Sequence, residues 1–307
     1  IRQIIRGMPA TDGAGVELVR MIGQPSLDML DPFLLLDAFR SDNPDDYIAG
    51  FPPHPHRGFE TVTYLLNGRM RHRDNTGREG VIEPGGIQWM TAGRGIVHSE
   101  MPEQEDGLLE GFQLWVNLPA GAKMTTPGYQ EFPPSGVPLE QRPDGTQVRV
   151  IAGETAAGTT GAVRNDWVHP LYLDVTLPAH GAFEQAVEAD ANAFAYVIEG
   201  ELATGPREQR LERRRLGIFG PGERIAVTAG DAAARFLLVA AQLAPAAIAE
   251  TAAVAFSFGI VPQQAPSKLL ASWRPVLQEL EARTGHRFIF RTAPDIPTFE
   301  QRLASGD

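Results

Sequence analysis

Thr61-Val62-Thr63-Tyr64-Leu65-Leu66-Asn67-Gly68 alternates in side-chain character and then breaks on Asn-Gly, the pattern of a strand running into a tight turn. The same grammar recurs at Tyr196-Val197-Ile198-Glu199-Gly200. A second pair of segments follows: Pro84-Gly85 with Thr91-Ala92-Gly93, and Pro221-Gly222 with Thr228-Ala229-Gly230, the Pro-to-Thr spacing being seven in both. Repetition of this kind predicts duplicated β-barrels. Up to about Ala240 the chain consists of short apolar runs cut by Gly, Pro, Asn and Asp, with no helix long enough for parallel βαβ units. The expected organisation is a first barrel over 1–120, a Pro- and Gly-rich linker over 121–164, a second barrel over 165–241 and a tail over 242–307.

The tail changes period. Val254 to Val261 reads as a buried strand, and Ser267 to Arg283 carries Leu269, Leu270, Trp273, Val276, Leu277 and Leu280 at helical spacing. His286 to Arg291 reads as a further strand and Ile296 to Ala304 as a second helix, giving a short βαβα unit after an otherwise all-β chain.

Bulk properties restrict the function. At 307 residues the chain is long enough for two cores. With 43% apolar residues it has the means to fill them despite 32 Gly and 25 Pro. It has no cysteine, so disulfides, thiolate metal sites and cysteine nucleophiles are excluded, and any metal must sit on imidazole and carboxylate. A net charge of -11 without a long basic run disfavours direct binding to nucleic acid. The Arg207 to Arg215 run is interleaved with Glu208 and Glu212 and reads as a solvated turn. No apolar run is long enough to span a membrane as a helix.

Two short motifs carry the chemistry. In His54-Pro55-His56 the rings are two residues apart, so on a strand both point to one face. His98-Ser99-Glu100 repeats the arrangement 42 residues on, with a carboxylate as the second group. Three imidazoles and a carboxylate suit one divalent ion and leave coordination positions open for substrate or water. The plain alternative is a barrel whose interior histidines bond one another or close a structural ion site. Aligning the second barrel through its turns puts Arg235 at the His98 position, Leu237 at Glu100, and Ala186 and Glu188 near the His54 and His56 positions, so no metal set is expected there. His72 reads as a residue near the rim of the first barrel; His169, His180 and His286 stand singly and read as surface or satisfied core residues.

Asp31-Pro32-Phe33-Leu34-Leu35-Leu36-Asp37, His54-Pro55-His56-Arg57-Gly58-Phe59-Glu60-Thr61, Trp89-Met90-Thr91-Ala92-Gly93-Arg94-Gly95, Ile96-Val97-His98-Ser99-Glu100-Met101-Pro102 and Gln113-Leu114-Trp115-Val116-Asn117-Leu118-Pro119 closely resemble the pirin family. The resemblance covers roughly residues 1 to 241, dense in the first barrel and thin in the second. It implies two cupin (jelly-roll-like) β-barrels in tandem, with one ion, Fe(II) first and Mn, Ni, Cu or Zn as alternatives, on His54, His56, His98 and Glu100. Asp37, Phe51, Arg57 and Gln113 match the pocket wall. The family is similar to quercetin 2,3-dioxygenases; some members oxidise that flavonol, and others are metal-dependent regulators that bind transcription factors or metabolic enzymes. The first expectation is therefore a dioxygenase acting on a flavonol-like substrate with O2, in which Glu100 takes the substrate proton while Arg57 and Gln113 orient it. A non-catalytic iron-dependent regulator with a protein partner comes second, and a metal-stabilised scaffold third. A cytoplasmic monomer is expected. Beyond about Gln242, Phe258-Gly259-Ile260-Val261-Pro262-Gln263-Gln264 and Thr292 to Leu303 resemble instead the start of a periplasmic phosphate- or phosphonate-binding protein, too short to build a two-lobed ligand site.

Overall fold

The computed structural model describes residues 1–205, 208–243, 255–259, 266–284, 287–293 and 296–305. The strands of the first half are β1 (Gln3–Arg6), β2 (Met8–Asp12), β3 (Val16–Ile22), β4 (Phe33–Ser41), β5 (Phe51–His56), β6 (Phe59–Asn67), β7 (Met70–Asp74), β8 (Glu79–Ile82), β9 (Ile87–Thr91), β10 (Ile96–Pro102), β11 (Leu109–Asn117) and β12 (Gly128–Phe132). Those of the second half are β13 (Leu139–Gln141), β14 (Gln147–Ala152), β15 (Leu171–Leu177), β16 (Ala182–Ala186), β17 (Asn192–Glu199), β18 (Glu201–Thr204), β19 (Gln209–Glu212), β20 (Arg215–Ile218), β21 (Arg224–Ala229) and β22 (Ala234–Ala241).

Each half pairs a large sheet with a small one. The orders are β12-β9-β6-β11-β4-β3-β2 with β5-β10-β7-β8, and β1-β20-β17-β22-β15-β14-β13 with β16-β21-β18-β19. The two lists correspond strand for strand, so the duplication is real: two cupin barrels in tandem. The edge strands are exchanged. β1 precedes the first barrel in the chain but pairs with β20 of the second, whereas β12, within the stretch expected as a linker, closes the first barrel on β9. The rest of that stretch supplies β13 and β14 to the second.

The large sheets stack back to back. Period-2 alternation sends Val62, Tyr64 and Leu66 of β6 into a shared core with Phe194, Tyr196 and Ile198 of β17, while Leu65 faces the interior of the first barrel and Ala193, Ala195 and Val197 face the interior of the second. Within the shared core the Asp174 carboxylate is buried. Asp174 takes two hydrogen bonds from Arg235 on β22, at 3.0 and 2.6 Å, and one from Tyr64 of the first barrel at 2.6 Å. Burial, then the adjacent Asp174 charge, pushes the Tyr64 hydroxyl well above its ordinary pKa, so it stays a donor.

The topology corrects the alignment of the repeat. β10 corresponds to β21, not to β22, so Arg235 and Leu237 are not the counterparts of His98 and Glu100. Arg235 is instead the partner of Asp174. The buried residues of β16 and β21 are Phe183, Gln185, Ile225, Val227 and Ala229.

In the tail, β23 (Ala255–Gly259) and β24 (Arg287–Arg291) pair in parallel around α1 (Pro266–Thr284), and α2 (Ile296–Ser305) follows, which is the expected βαβα. Residues 260–265, His286 and, in the Arg-rich run, Arg207 lie outside the described residues. Among the described residues no helix is long and apolar enough to cross a membrane.

Tyr64→Phe keeps the packing but strips one donor from a buried carboxylate, a loss on the order of 2 kcal/mol. Urea unfolding should show that drop in stability, and an unchanged midpoint would count against the latch between the barrels.

Candidate metal centre

β5 and β10 lie side by side, with His54 opposite His98 and His56 opposite Ile96. Directly opposed residues share a face, and here that face is the interior of the first barrel. The three rings meet there, with centroids 4.7 Å apart for His54 and His56, 4.5 Å for His54 and His98, and 4.9 Å for His56 and His98. One nitrogen from each lies within 4.8 Å of the others.

The hydrogen-bonding state of these nitrogens tests whether an ion fits. His54 Nδ1 lies 2.8 Å from the Pro52 carbonyl, which only accepts; Nδ1 therefore carries the proton, and Nε2 keeps its lone pair for an ion. His56 Nε2 and both ring nitrogens of His98 are buried without a hydrogen-bond partner. Such orphaned nitrogens cost about 1–3 kcal/mol each, an expense that a bound cation would remove. Burial, and then the neighbouring rings, hold His56 well below the ordinary imidazole pKa. Burial likewise lowers His98 to about 4. Neutral imidazole is the form that binds metal, so the residues fit a divalent ion. His56 is fixed from behind by Phe59 and Trp115, with ring centroids at 5.1 and 5.3 Å.

Glu100 is not part of the 4.8 Å group. It is buried on the same strand and face as His98, and its carboxylate is held from the opposite sheet: the Thr63 hydroxyl lies 2.7 Å from Oε1, and Gln113 Nε2 lies 3.4 Å from Oε2.

Thr63 and Gln113 belong to a row of which only Asp37 and Gln113 were expected in the pocket wall. Arg20, Asp37, Gln113, Thr63, Gln88 and Glu131 lie in register across six neighbouring strands of the large sheet, all facing the barrel interior. The row is satisfied internally. Arg20 grips Asp37 through two bonds of 2.9 and 2.7 Å; Gln88 donates to Glu131 at 3.1 Å; and Glu131 pairs at 2.6 Å with His72. His72 is thus no rim residue: it sits opposite Glu100 on β7, 3% exposed, and its ring holds the Glu131 carboxyl below the usual carboxylate range. The corresponding row of the second barrel reads Val150, Leu173, Leu238, Ala195, Gly217 and Ile4. One barrel is lined for polar chemistry, the other is packed.

Of the other pocket residues expected, Phe51 is half-buried opposite Glu100. Arg57 stands beside His56, its guanidinium 3.6 Å from Met124 Sδ, and among the described residues it has no ion-pair partner. Lys123 nearby is tied to the Gly58 carbonyl and Asn117 at 2.9 and 2.6 Å. His169 and His180 lie on turns at positive φ, away from the triad.

Fold and site together define a two-barrel cupin with a histidine centre in its first barrel. The comparisons agree: the Pirin model matches residues 15–116 and the Pirin C-terminal cupin domain model residues 172–248. The chain belongs to the pirin family. A pirin-like protein of Caulobacter vibrioides is 59% identical over 202 residues, 66% of this chain and 73% of that protein. Human Pirin is 42% identical over 236 residues, 76% and 79% of the two chains. The crystal structure of a quercetin 2,3-dioxygenase from Acinetobacter baumannii superposes with a TM-score of 0.71 at 31% identity, covering 78% of this chain and 86% of that one. Residues 258–307 match a separate model, the ABC transporter, phosphonate, periplasmic substrate-binding protein.

The lowered imidazole pKa values set the acid stability of the metal-free protein. In the unfolded chain the rings take up protons near pH 6.5, whereas folded His98 resists until about 4. Its contribution is complete above pH 6.5 and lost as pH falls toward 4, on the order of 3 kcal/mol from a shift of this size. Urea midpoints of EDTA-treated protein should fall over that window, and His98→Gln should flatten the fall; a pH-independent wild type would contradict it.

Proposed function

We propose that this chain is a metal-dependent dioxygenase that oxidises a flavonol-like substrate with O2, using one divalent ion, Fe(II) first, on His54, His56, His98 and Glu100. The observation that carries the reading is the convergence of three imidazoles, those of His56 and His98 buried with orphaned nitrogens, in the barrel whose interior row is polar. The likeness to a protein named as a quercetin 2,3-dioxygenase supports the substrate class.

A bound divalent ion supplies Lewis acidity toward the substrate's acidic hydroxyl and electron transfer toward O2. The protein supplies the rest. Glu100, beside the triad and kept in place by Thr63, which Gln113 in turn contacts, takes the hydroxyl proton. Arg57, free of any carboxylate partner among the described residues, faces the resulting oxyanion, and partial burial strengthens that attraction by excluding water. Gln113 orients the substrate or the carboxylate through its amide. Phe59 and Trp115 wall the site with apolar rings suited to an aromatic guest.

One observation favours a second reading, an iron-dependent regulator that binds a transcription factor or metabolic enzyme without catalysis. Two open clefts with acidic walls lie against the second barrel, one lined by Asp31, Asp190 and Asn192, the other by His169, Glu188 and Glu223, and offer a surface for a partner.

Anaerobic Fe(II) reconstitution followed by oxygen uptake with quercetin separates them. The dioxygenase reading expects iron-dependent uptake that vanishes in His56→Ala and drops roughly 10²–10⁴-fold in Glu100→Ala. Tight iron binding without uptake moves the assignment to the regulator.

A further inference from the structure

Thr63 has two contacts that its single proton cannot both serve. Its hydroxyl oxygen lies 2.7 Å from Glu100 Oε1 and 2.6 Å from Gln113 Oε1. A carboxylate only accepts, and so does an amide oxygen, while a hydroxyl donates once. The amide nitrogen and oxygen of Gln113 exchange places by a half-turn about the terminal bond. With its NH2 turned toward Thr63, the chain of donors runs one way, from Gln113 to Thr63 and from Thr63 to Glu100 Oε1. Oε2 is then left without a donor.

We infer that Thr63 is a positioning residue that acts through Glu100: its hydroxyl, itself fixed by Gln113, ties up Oε1 and presents Oε2 alone to the ion. The placement is rigid for reasons visible in the fold. Thr63 and Gln113 are directly opposed on β6 and β11, whereas Glu100 comes from the other sheet of the barrel, so the contact spans the interior. Thr63 is 2% and Glu100 3% exposed, so water does not compete for the bond. Thr63 is β-branched, which restricts its χ1 on a strand. The corresponding position of the second barrel is Ala195, which is consistent with a requirement that exists only where an ion is held.

This inference rests on the reading of Glu100 as a ligand, and the two fail separately. Co(II) serves as the probe, with affinity measured by titration and ligand geometry by the visible absorption of the bound ion. Thr63→Val should weaken Co(II) binding about 10- to 100-fold, the usual consequence of removing the partner of a metal-bound side chain, and should change the visible spectrum. Thr63→Ser, which keeps the hydroxyl, should restore both. In the Glu100→Ala background Thr63→Val should have no further effect. Melting of the metal-free variants checks that the Val change has not unfolded the barrel; if it has, Thr63→Ser against Thr63→Ala carries the same comparison. Wild-type affinity and spectrum in Thr63→Val overturn the inference, as does equal loss in the Val and Ser variants. Undiminished Co(II) affinity in Glu100→Ala overturns instead the ligand reading on which it rests.

Discussion

Polar groups inside a β-barrel must find partners there, because the sheet has already used its backbone donors and acceptors and water is excluded. The first barrel meets much of this constraint with a network of paired polar side chains. Arg20 answers Asp37, Gln88 and His72 answer Glu131, and Thr63, itself fixed by Gln113, answers Glu100. The imidazoles of His56 and His98, side by side at the triad, keep buried nitrogens without a hydrogen-bond partner. The place of the metal site follows from that residue of unmet demand, and so do the lowered imidazole pKa values that keep the rings ready for a cation.

The duplication shows what the same scaffold does without that demand. The two large sheets have matching strand orders and share one apolar core, yet facing away from it one presents a polar row and the other an apolar one. Tyr64 crosses between them to Asp174, and the exchange of β1 and β12 ties the edges. The second barrel thereby buttresses the wall on which Thr63 and Gln113 stand.

Much of this was legible in the chain. The His-x-His and His-x-Glu spacings fix a common face because strand side chains alternate, and Thr61 to Gly68 announced the duplicated strand. Register was the weak point. The Pro-Gly turn before a strand recurs throughout a barrel protein, so matching Pro84-Gly85 to Pro221-Gly222 paired β9 with β21, whereas hydrogen bonding makes β10 the counterpart. Residues 121–164 looked like a linker because Pro and Gly interrupt them, and pairing across long sequence separation has no local signature. The polar row was legible only in part: the resemblance marked Asp37 and Gln113, whereas Arg20, Thr63, Gln88 and Glu131 become their neighbours only once six strands are in register.

The central claim is that one divalent ion binds per chain, in the first barrel. Anomalous diffraction from crystals grown with Co(II) tests it most directly. The account predicts a single peak among His54, His56 and His98 with Glu100 beside it. A peak in the second barrel, or none at the three histidines at saturating metal, would contradict it.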